Sequence, residues 1–382
     1  MQTEPVETDM AITMKKGLPV VVVHKAVTVE FEGGESKKTY PKNCVAIMPL
    51  HGLPQEDLKR LVKNNYISIY AADDFFKRWI YGDRSQFFFT HLGGGIGDMI
   101  AFSAMTYFLK NKNLNVYVDS LFFPVFEWFE YKPIVKRFDE IIMGDYTPQN
   151  RLGKYKMIRR LAMEYAAVQG RDQNWYDAMF ERIGMPFAPD IYARPRLIQH
   201  RLNTKPATVK TKESVLIQHK SSCQMRSSTF MDFFIPVKKV YKNHDIYVFD
   251  SDLTDQEKTY LYNMCLNVTI IPKCDMATYL LNLYDVEMVV SVDTGAIHFR
   301  EGIGKRCLAV FGAMSTASRT SGYIYTKSFD VKSDCPFQPC FKHELTKGDH
   351  CENSLETDTT AKCLTGKDFQ QQLYENLLTY NQ

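Results

Sequence analysis

From Gln86 to Phe311 the chain alternates short apolar runs with longer amphipathic segments, and a parallel sheet built from βαβ units is the arrangement that buries both. In the first series, residues 87–91 and 114–118 read as strands with a helix over 98–109 between them. Residues 138–143 read as a further strand, and 153–184 as two helices parted near Gly170. Pro186, Pro189, Pro195 and Pro206, with a basic, polar stretch over 200–212, mark an exit and linker. The second series runs strand 215–219, strand 246–249, helix 255–265, strand 268–271, helix 276–283, strand 286–292, helix 296–302 and strand 307–311. Two doubly wound halves are predicted. Their ligands belong at the carboxyl ends of the strands, in the loops after Phe89, Ile217 and Val292.

The length agrees, since 382 residues at about 100–200 per domain leave a surplus over two. That surplus is N-terminal: a polar tail, strands over 20–23 and 27–31 beside the Gly33-Gly34 turn, a helix opening at Pro54 with Leu58, Leu61 and Val62 on one face, and a strand over 66–70. So small a unit buries little core alone and is expected to dock on the main body or a partner. With 47 Lys plus Arg against 44 Asp plus Glu, the net charge of +3 excludes a global field that would gather a polyanion, so anion binding must be local. No apolar run approaches the roughly 18–20 residues that cross a bilayer. Glu4, Glu7 and Asp9 precede any apolar segment, the reverse of a secretory signal, so the expected compartment is the cytoplasm, or the host cytoplasm if the source is viral.

Three loops carry the chemistry. In Thr90-His91-Leu92-Gly93-Gly94-Gly95-Ile96-Gly97-Asp98, the glycines let backbone approach a ligand and the following helix start favours an anion. The spacing fails both the dinucleotide fingerprint and the Lys-bearing phosphate loop. Asp98 reads either as a helix cap or as a carboxylate facing a cleft. In Gln218-His219-Lys220-Ser221-Ser222-Cys223-Gln224-Met225-Arg226, two cations among hydroxyls at a strand's end suit a diphosphate, or form a solvated basic loop. In Ser291-Val292-Asp293-Thr294-Gly295-Ala296-Ile297-His298, a buried strand delivers Asp-Thr-Gly to a helix start, where amides and the Thr hydroxyl can hold phosphate and the carboxylate can hold sugar hydroxyls. The alternative there is an Asp N-cap followed by a packed His.

The segment 291–298, the later Gly304 and Phe311-Gly312, and the early Gly97-Asp98 before a helix resemble heptosyltransferase-like glycosyltransferases, the family of the ADP-heptose:lipopolysaccharide heptosyltransferases, over roughly residues 86–380. The resemblance implies an α/β fold of the GT-B type: two Rossmann-like, doubly wound domains facing a cleft, here with a small N-terminal β-rich module. The implied division is 1–80 for the appended module, 81–205 for the acceptor domain, 206–334 for the nucleotide-sugar domain, and 335–382 for a Cys-rich segment and a terminal helix that crosses back onto the first domain. It further implies an inverting, metal-independent transfer from a nucleotide-diphosphate sugar to an acceptor hydroxyl of the glycan or lipopolysaccharide type, with no cofactor required. Asp98 takes the place of the general base, in a loop with Gly94, Gly95 and Gly97. Arg226 or Lys220 stands where a cation meets the diphosphate, and Asp293, Thr294, Gly295 and His298 form the donor-binding turn. Phe299-Arg300-Glu301 depart from the small residues usual after the His, and Lys305-Arg306 replace a usual Pro.

Four of the nine cysteines, Cys335, Cys340, Cys351 and Cys363, fall close together with His343 and His350 between them. A structural zinc is one reading; reduced thiols or a pair of disulfides is the other. Two further functional readings stay open. One is a phage-type transferase acting on a hydroxylated DNA base, with Lys15-Lys16, Arg159-Arg160 and residues 200–212 touching phosphates. The other is a non-catalytic binding protein on a degenerate GT-B scaffold. The donor sugar and the oligomeric state are not legible.

Overall fold

The computed structural model describes residues 20–30, 37–40, 44–47, 54–70, 87–89, 95–111, 114–118, 120–137, 174–181, 188–202, 207–264, 266–336, 338, 340, 351 and 360–381. The N-terminal residues hold β1 (Val20–Val23), β2 (Val27–Glu30), β3 (Lys37–Tyr40), β4 (Cys44–Ile47), α1 (Gln55–Lys63) and β5 (Ile67–Tyr70). β1 lies between β4 and β5, antiparallel to both. β2 and β3 form a separate antiparallel pair whose register closes Glu30 on Lys37. The turn expected at Gly33-Gly34 falls between them, outside the described residues.

A three-stranded parallel sheet follows, built from β6 (Phe87–Phe89), β7 (Leu114–Val118) and β8 (Ile134–Arg137), in that order. Between β6 and β7 the chain makes α2 (Ile96–Phe108), and between β7 and β8 the short α3 (Phe123–Phe126). Residues 96–106 of α2 bury Met99 to Thr106 on almost every side, as a helix sandwiched between packed layers must. The strand expected over 138–143 and most of the helical stretch over 153–184 lie outside the described residues; α4 (Trp175–Glu181) is their described end.

The second sheet has six parallel strands: β9 (Ser214–Gln218), β10 (Asp245–Phe249), β11 (Val268–Ile271), β12 (Met288–Val292), β13 (Cys307–Phe311) and β14 (Thr326–Asp330). The connecting helices are α5 (Phe230–Val240), α6 (Asp255–Asn263), α7 (Met276–Asp285), α8 (Gly295–Gly302) and α9 (Thr316–Arg319), with α10 (Lys367–Asn381) at the C-terminus. The spatial order β11-β10-β9-β12-β13-β14 reverses direction between β9 and β12. That reversal is where the connections depart to opposite faces and open a crevice at the strand ends. β9, β12 and β13 are buried along their full length. At about 1.5–3 kcal/mol per buried Val, Leu or Ile side chain, these central strands fix the height at which their loops emerge.

Two elements differ from expectation. α5 lies between the strands over 215–219 and 246–249, where no element is expected, and despite Pro236 in its middle Phe230, Phe233, Phe234 and Val237 bury a stripe that holds the helix. Among the described residues the terminal helix packs on the second sheet's side and not on the first sheet. α10 lies on α5 and β13, with Phe369, Leu373 and Leu377 buried and the Phe369 ring 5.5 Å from that of Phe233. Leu378, beside that buried stripe, stays exposed.

Candidate active site at the switch point

The two loops that flank the sheet reversal meet. Arg226 follows β9 and Asp293 follows β12; Arg226 Nη1 stands 3.4 Å from Asp293 Oδ2. Asp293 is 4% exposed. Burial pushes its carboxyl up, but the charges of Arg226 and Arg319 outweigh that and leave it below the ordinary value. Asp293 is not the helix cap. Thr294 caps α8, accepting from Ala296 N at 3.3 Å, and its hydroxyl is steadied by Ser291 Oγ at 2.9 Å. The Asp293 carboxylate is thereby released from the helix and faces the guanidinium. Gly295 starts α8 under Ile96, the first residue of α2. A Cβ on Gly295 would lie 2.0 Å from Ile96 Cγ2, so only glycine permits this approach.

Gly97 occupies the facing position on α2. A Cβ there would lie 2.9 Å from His298 Cδ2 and 3.4 Å from Gly295 Cα. The two helix N-termini, with their positive dipole ends, therefore converge on one seam. Asp98 stands in the first turn of α2, 8% exposed, and its Oδ2 accepts from Gly95 N at 2.7 Å. The carboxylate caps the helix, the first of the two roles weighed from the sequence, one residue beyond Gly97 at the seam. Gly95 and Gly97 are part of the seam; Gly94 lies outside the described residues.

His298 is 2% exposed, and burial lowers its pKa to about 3, so it is a neutral imidazole. Its Nδ1 lies 2.5 Å from Tyr323 Oη, and Trp175 packs edge-on at 5.0 Å. The Arg319 guanidinium covers the Trp175 ring at 4.4 Å. None of Trp175, Arg319, Tyr323 or Tyr176 was singled out in the sequence. No spacing signal joins them, because they come together from segments up to 147 positions apart.

Lys220 goes elsewhere. It is half-buried, with burial pushing its pKa down while Glu257 and Asp252 pull it up. His219, fully buried, has Nε2 3.8 Å from Glu257 Oε1, and burial takes its pKa to about 3. Burial likewise lifts Asp252 to about 7. This acid-rich corner is the end of β9 beside β10. Of the two candidate cations, the structure joins Arg226, not Lys220, to Asp293.

The residues that broke the expected pattern after His298 are structural. Arg300 is fully buried and donates from Nε, Nη1 and Nη2 to the carbonyls of Leu283, Val286, Glu287 and Arg306 at 2.7–3.0 Å. Glu301 accepts from the backbone N–H groups of Ile324, Tyr325 and Thr326 at 2.8–2.9 Å. Together they rivet the back of α8 to its surroundings.

The basic stretch expected to touch DNA phosphates is partly engaged within the fold. Arg201 forms a bidentate pair with Asp285, and Lys210 pairs with Asp245 at 2.6 Å. Lys15-Lys16 and Arg159-Arg160 lie outside the described residues.

Cys335, Cys340, Cys351 and Cys363 are free thiols. Burial first, and then one another's charge, pushes Cys340 and Cys363 up to about 12. Cys340 and Cys351 pack against Cys223, Met225 and Ala313 below the Arg226 loop, and Cys351 N donates to Gln224 Oε1 at 3.0 Å. Among the described residues no three His, Cys, Asp or Glu side chains stand as a metal-holding group; His343 and His350 lie outside them. The thiols serve as packing that fastens the segment to the loop after β9.

No family model matches the sequence, and no curated protein matches it. Solved structures do. The family 9 glycosyl transferase from Veillonella parvula superposes with a TM-score of 0.52 at 10% identity, covering 78% of this chain and 98% of its own. The iron-containing dodecameric glycosyltransferase TibC from enterotoxigenic E. coli gives 0.50 at 12% identity, over 78% of this chain and 77% of its own. TibC in complex with ADP-D-beta-D-heptose gives 0.50 at 10% identity over 95% of this chain and 94% of its own. The chain thus has the mixed α/β fold, with its six-stranded parallel sheet, of family 9 glycosyltransferases and heptosyltransferases.

Proposed function

We propose that the protein is an inverting, metal-independent glycosyltransferase of the GT-B kind, moving a sugar from a nucleotide diphosphate to an acceptor hydroxyl of the glycan or lipopolysaccharide type. Residues 81–205 then form the acceptor domain and 206–334 the donor domain, with 1–80 appended. The observation that carries this reading is the seam: α2, with Asp98 in its first turn, meets the start of α8, and Arg226 pairs with Asp293 at the sheet's switch point. The ADP-heptose bound to TibC supports an adenine nucleotide sugar as the first donor to try.

In the reaction, Asp98 takes the proton from the acceptor hydroxyl while that oxygen bonds to the anomeric carbon from the face opposite the leaving group. The bond from that carbon to the phosphate oxygen breaks, and its electron pair leaves with the diphosphate. Negative charge grows on the diphosphate, where the α8 amides, the Thr294 hydroxyl and Arg226 supply fixed positive potential. Arg226 is kept charged and aimed by Asp293, which releases part of it to the phosphates on binding. The fixed charges do what a divalent cation would otherwise do, and the reading is that of a cytoplasmic enzyme. Calorimetric titration with ADP and a panel of nucleotide sugars tests donor binding, and mass-spectrometric detection of free nucleoside diphosphate tests transfer. A protein that binds no nucleotide sugar on the panel is not this enzyme.

A further inference from the structure

Three segments far apart in sequence meet behind His298. Tyr323 Oη lies 2.5 Å from His298 Nδ1 and 2.9 Å from Tyr176 Oη. Tyr176 is fully buried, and Tyr323 is its hydroxyl's one hydrogen-bond partner among the described residues. The arrangement is held from both sides. Asn174 Oδ1 accepts from Tyr176 N at 2.7 Å, while Asn174 Nδ2 donates to Ser321 Oγ at 2.8 Å. On the other flank Glu301 clamps the backbone immediately after Tyr323.

The hydrogens can be counted. A neutral imidazole carries one N–H. If Nδ1 held it, it would donate to Tyr323, Tyr323 would donate to Tyr176, and the buried Tyr176 hydroxyl hydrogen would have no acceptor among the described residues. A buried unmade hydrogen bond costs about 1–3 kcal/mol. If instead Tyr176 donates to Tyr323 and Tyr323 donates to Nδ1, both hydroxyl hydrogens are used, and the one hydrogen left to seek a partner is the imidazole's own, on the side of the seam. The imidazole proton then sits on Nε2. That nitrogen makes no hydrogen bond among the described residues and lies 3.5 Å from the place a Cβ on Gly97 would take, one residue from Asp98.

We propose that Tyr176 and Tyr323 are positioning residues, a one-way donor chain that fixes His298 as its Nε2–H tautomer and so presents one more N–H to an anionic group held at the seam. The tautomer itself follows from the geometry; that the anion is the donor's diphosphate rests on the glycosyltransferase reading. In this role His298 adds a neutral donor whose orientation is set before the ligand arrives, and whose strength grows as charge develops on the leaving group.

The test reads the tautomer directly. In protein labelled with 15N-histidine, two-bond proton–nitrogen correlation, with the His298 signal assigned by its loss in His298→Gln, is expected to show protonated Nε2 and bare Nδ1 across the neutral pH range, with no ligand present. A wild-type spectrum with the proton on Nδ1 overturns the proposal, and this needs no variant to fold. Tyr323→Phe is expected to give a mixed or inverted tautomer and about a tenfold loss of kcat, the size of one misplaced hydrogen bond, with donor KM nearly unchanged. The same substitution in a His298→Gln background, where the amide places its own N–H near the Nε2 position, is expected to cost little more than His298→Gln alone. Equal costs in both backgrounds overturn the positioning role. If no nucleotide sugar is turned over by the wild type, the glycosyltransferase reading fails while the spectrum still decides the donor chain.

Discussion

Arg226 and Asp293, 67 positions apart, meet across the point where the six-stranded sheet reverses its order. The pair joins the loops after β9 and β12. In the proposed reaction its two members do different jobs: the guanidinium binds the diphosphate and the buried carboxylate keeps it aimed.

Arg226→Ala is expected to weaken nucleotide-sugar binding by about 10–100-fold, the worth of a charge-assisted hydrogen bond to phosphate. It should also lower stability, because Asp293 is left buried without that partner. Titration calorimetry and urea unfolding of the same variant measure the two effects. Unchanged donor affinity would remove Arg226 from the site.

Asp98 can be divided by two substitutions. Asp98→Asn keeps an oxygen to accept the Gly95 N–H but cannot take a proton, so it should fold with near wild-type stability and lose turnover by two or more orders of magnitude. Asp98→Ala should lose the same turnover and also about 1 kcal/mol of stability with the cap. Donor affinity should survive in both. A matching loss of donor binding would contradict the base role.

Gly295→Ala places a methyl 2.0 Å from Ile96 Cγ2 at the contact between the two helix starts. Overpacking of this kind costs about 1–3 kcal/mol, and here the strain falls on the seam itself. Thermal melting should drop, and Ile96→Ala in the same chain should recover part of the loss by opening room for the methyl.

Acidification should destabilise the fold from about pH 6.5 downward. His298 and His219 are held near 3 in the fold against 6.5 when exposed, so below 6.5 the unfolded chain takes up two protons that the folded chain refuses. Asp252, lifted to about 7 from 3.8, works the other way, because its folded form holds a proton in that window. Two against one leaves a net loss of at most about 1.4 kcal/mol per pH unit between about pH 6.5 and pH 4.5. Urea midpoints across that range measure it, and His298→Gln should flatten the slope.

The central strands and the Asp-Thr-Gly turn were legible because continuous apolar runs bounded by turn residues have few other uses. β14 was not: Thr326–Asp330 is a polar edge strand paired on one side only, and it carries no period. α5 was not read: its aromatic stripe is recognised as a packed face only against the second sheet and α10, and it carries Pro236 in its middle. At the site, the residues adjacent to motifs could be found, and those brought in by tertiary contact could not. Tyr176 and Tyr323 look like ordinary core aromatics until their hydroxyls are seen to line up with an imidazole.

Arg300 gives the two ends of α8 unequal freedom. Its guanidinium grips four carbonyls from the α7–β12 connection and the start of β13, while Glu301 grips the chain before β14. One end of this helix is a stationary jaw. The facing wall, α2, is held at the seam by van der Waals contact of Ile96 and Gly97 with Gly295 and His298. Under the proposed glycosyltransferase reading, admission of a sugar nucleotide is then expected to displace α2 rather than α8, whose far end is anchored.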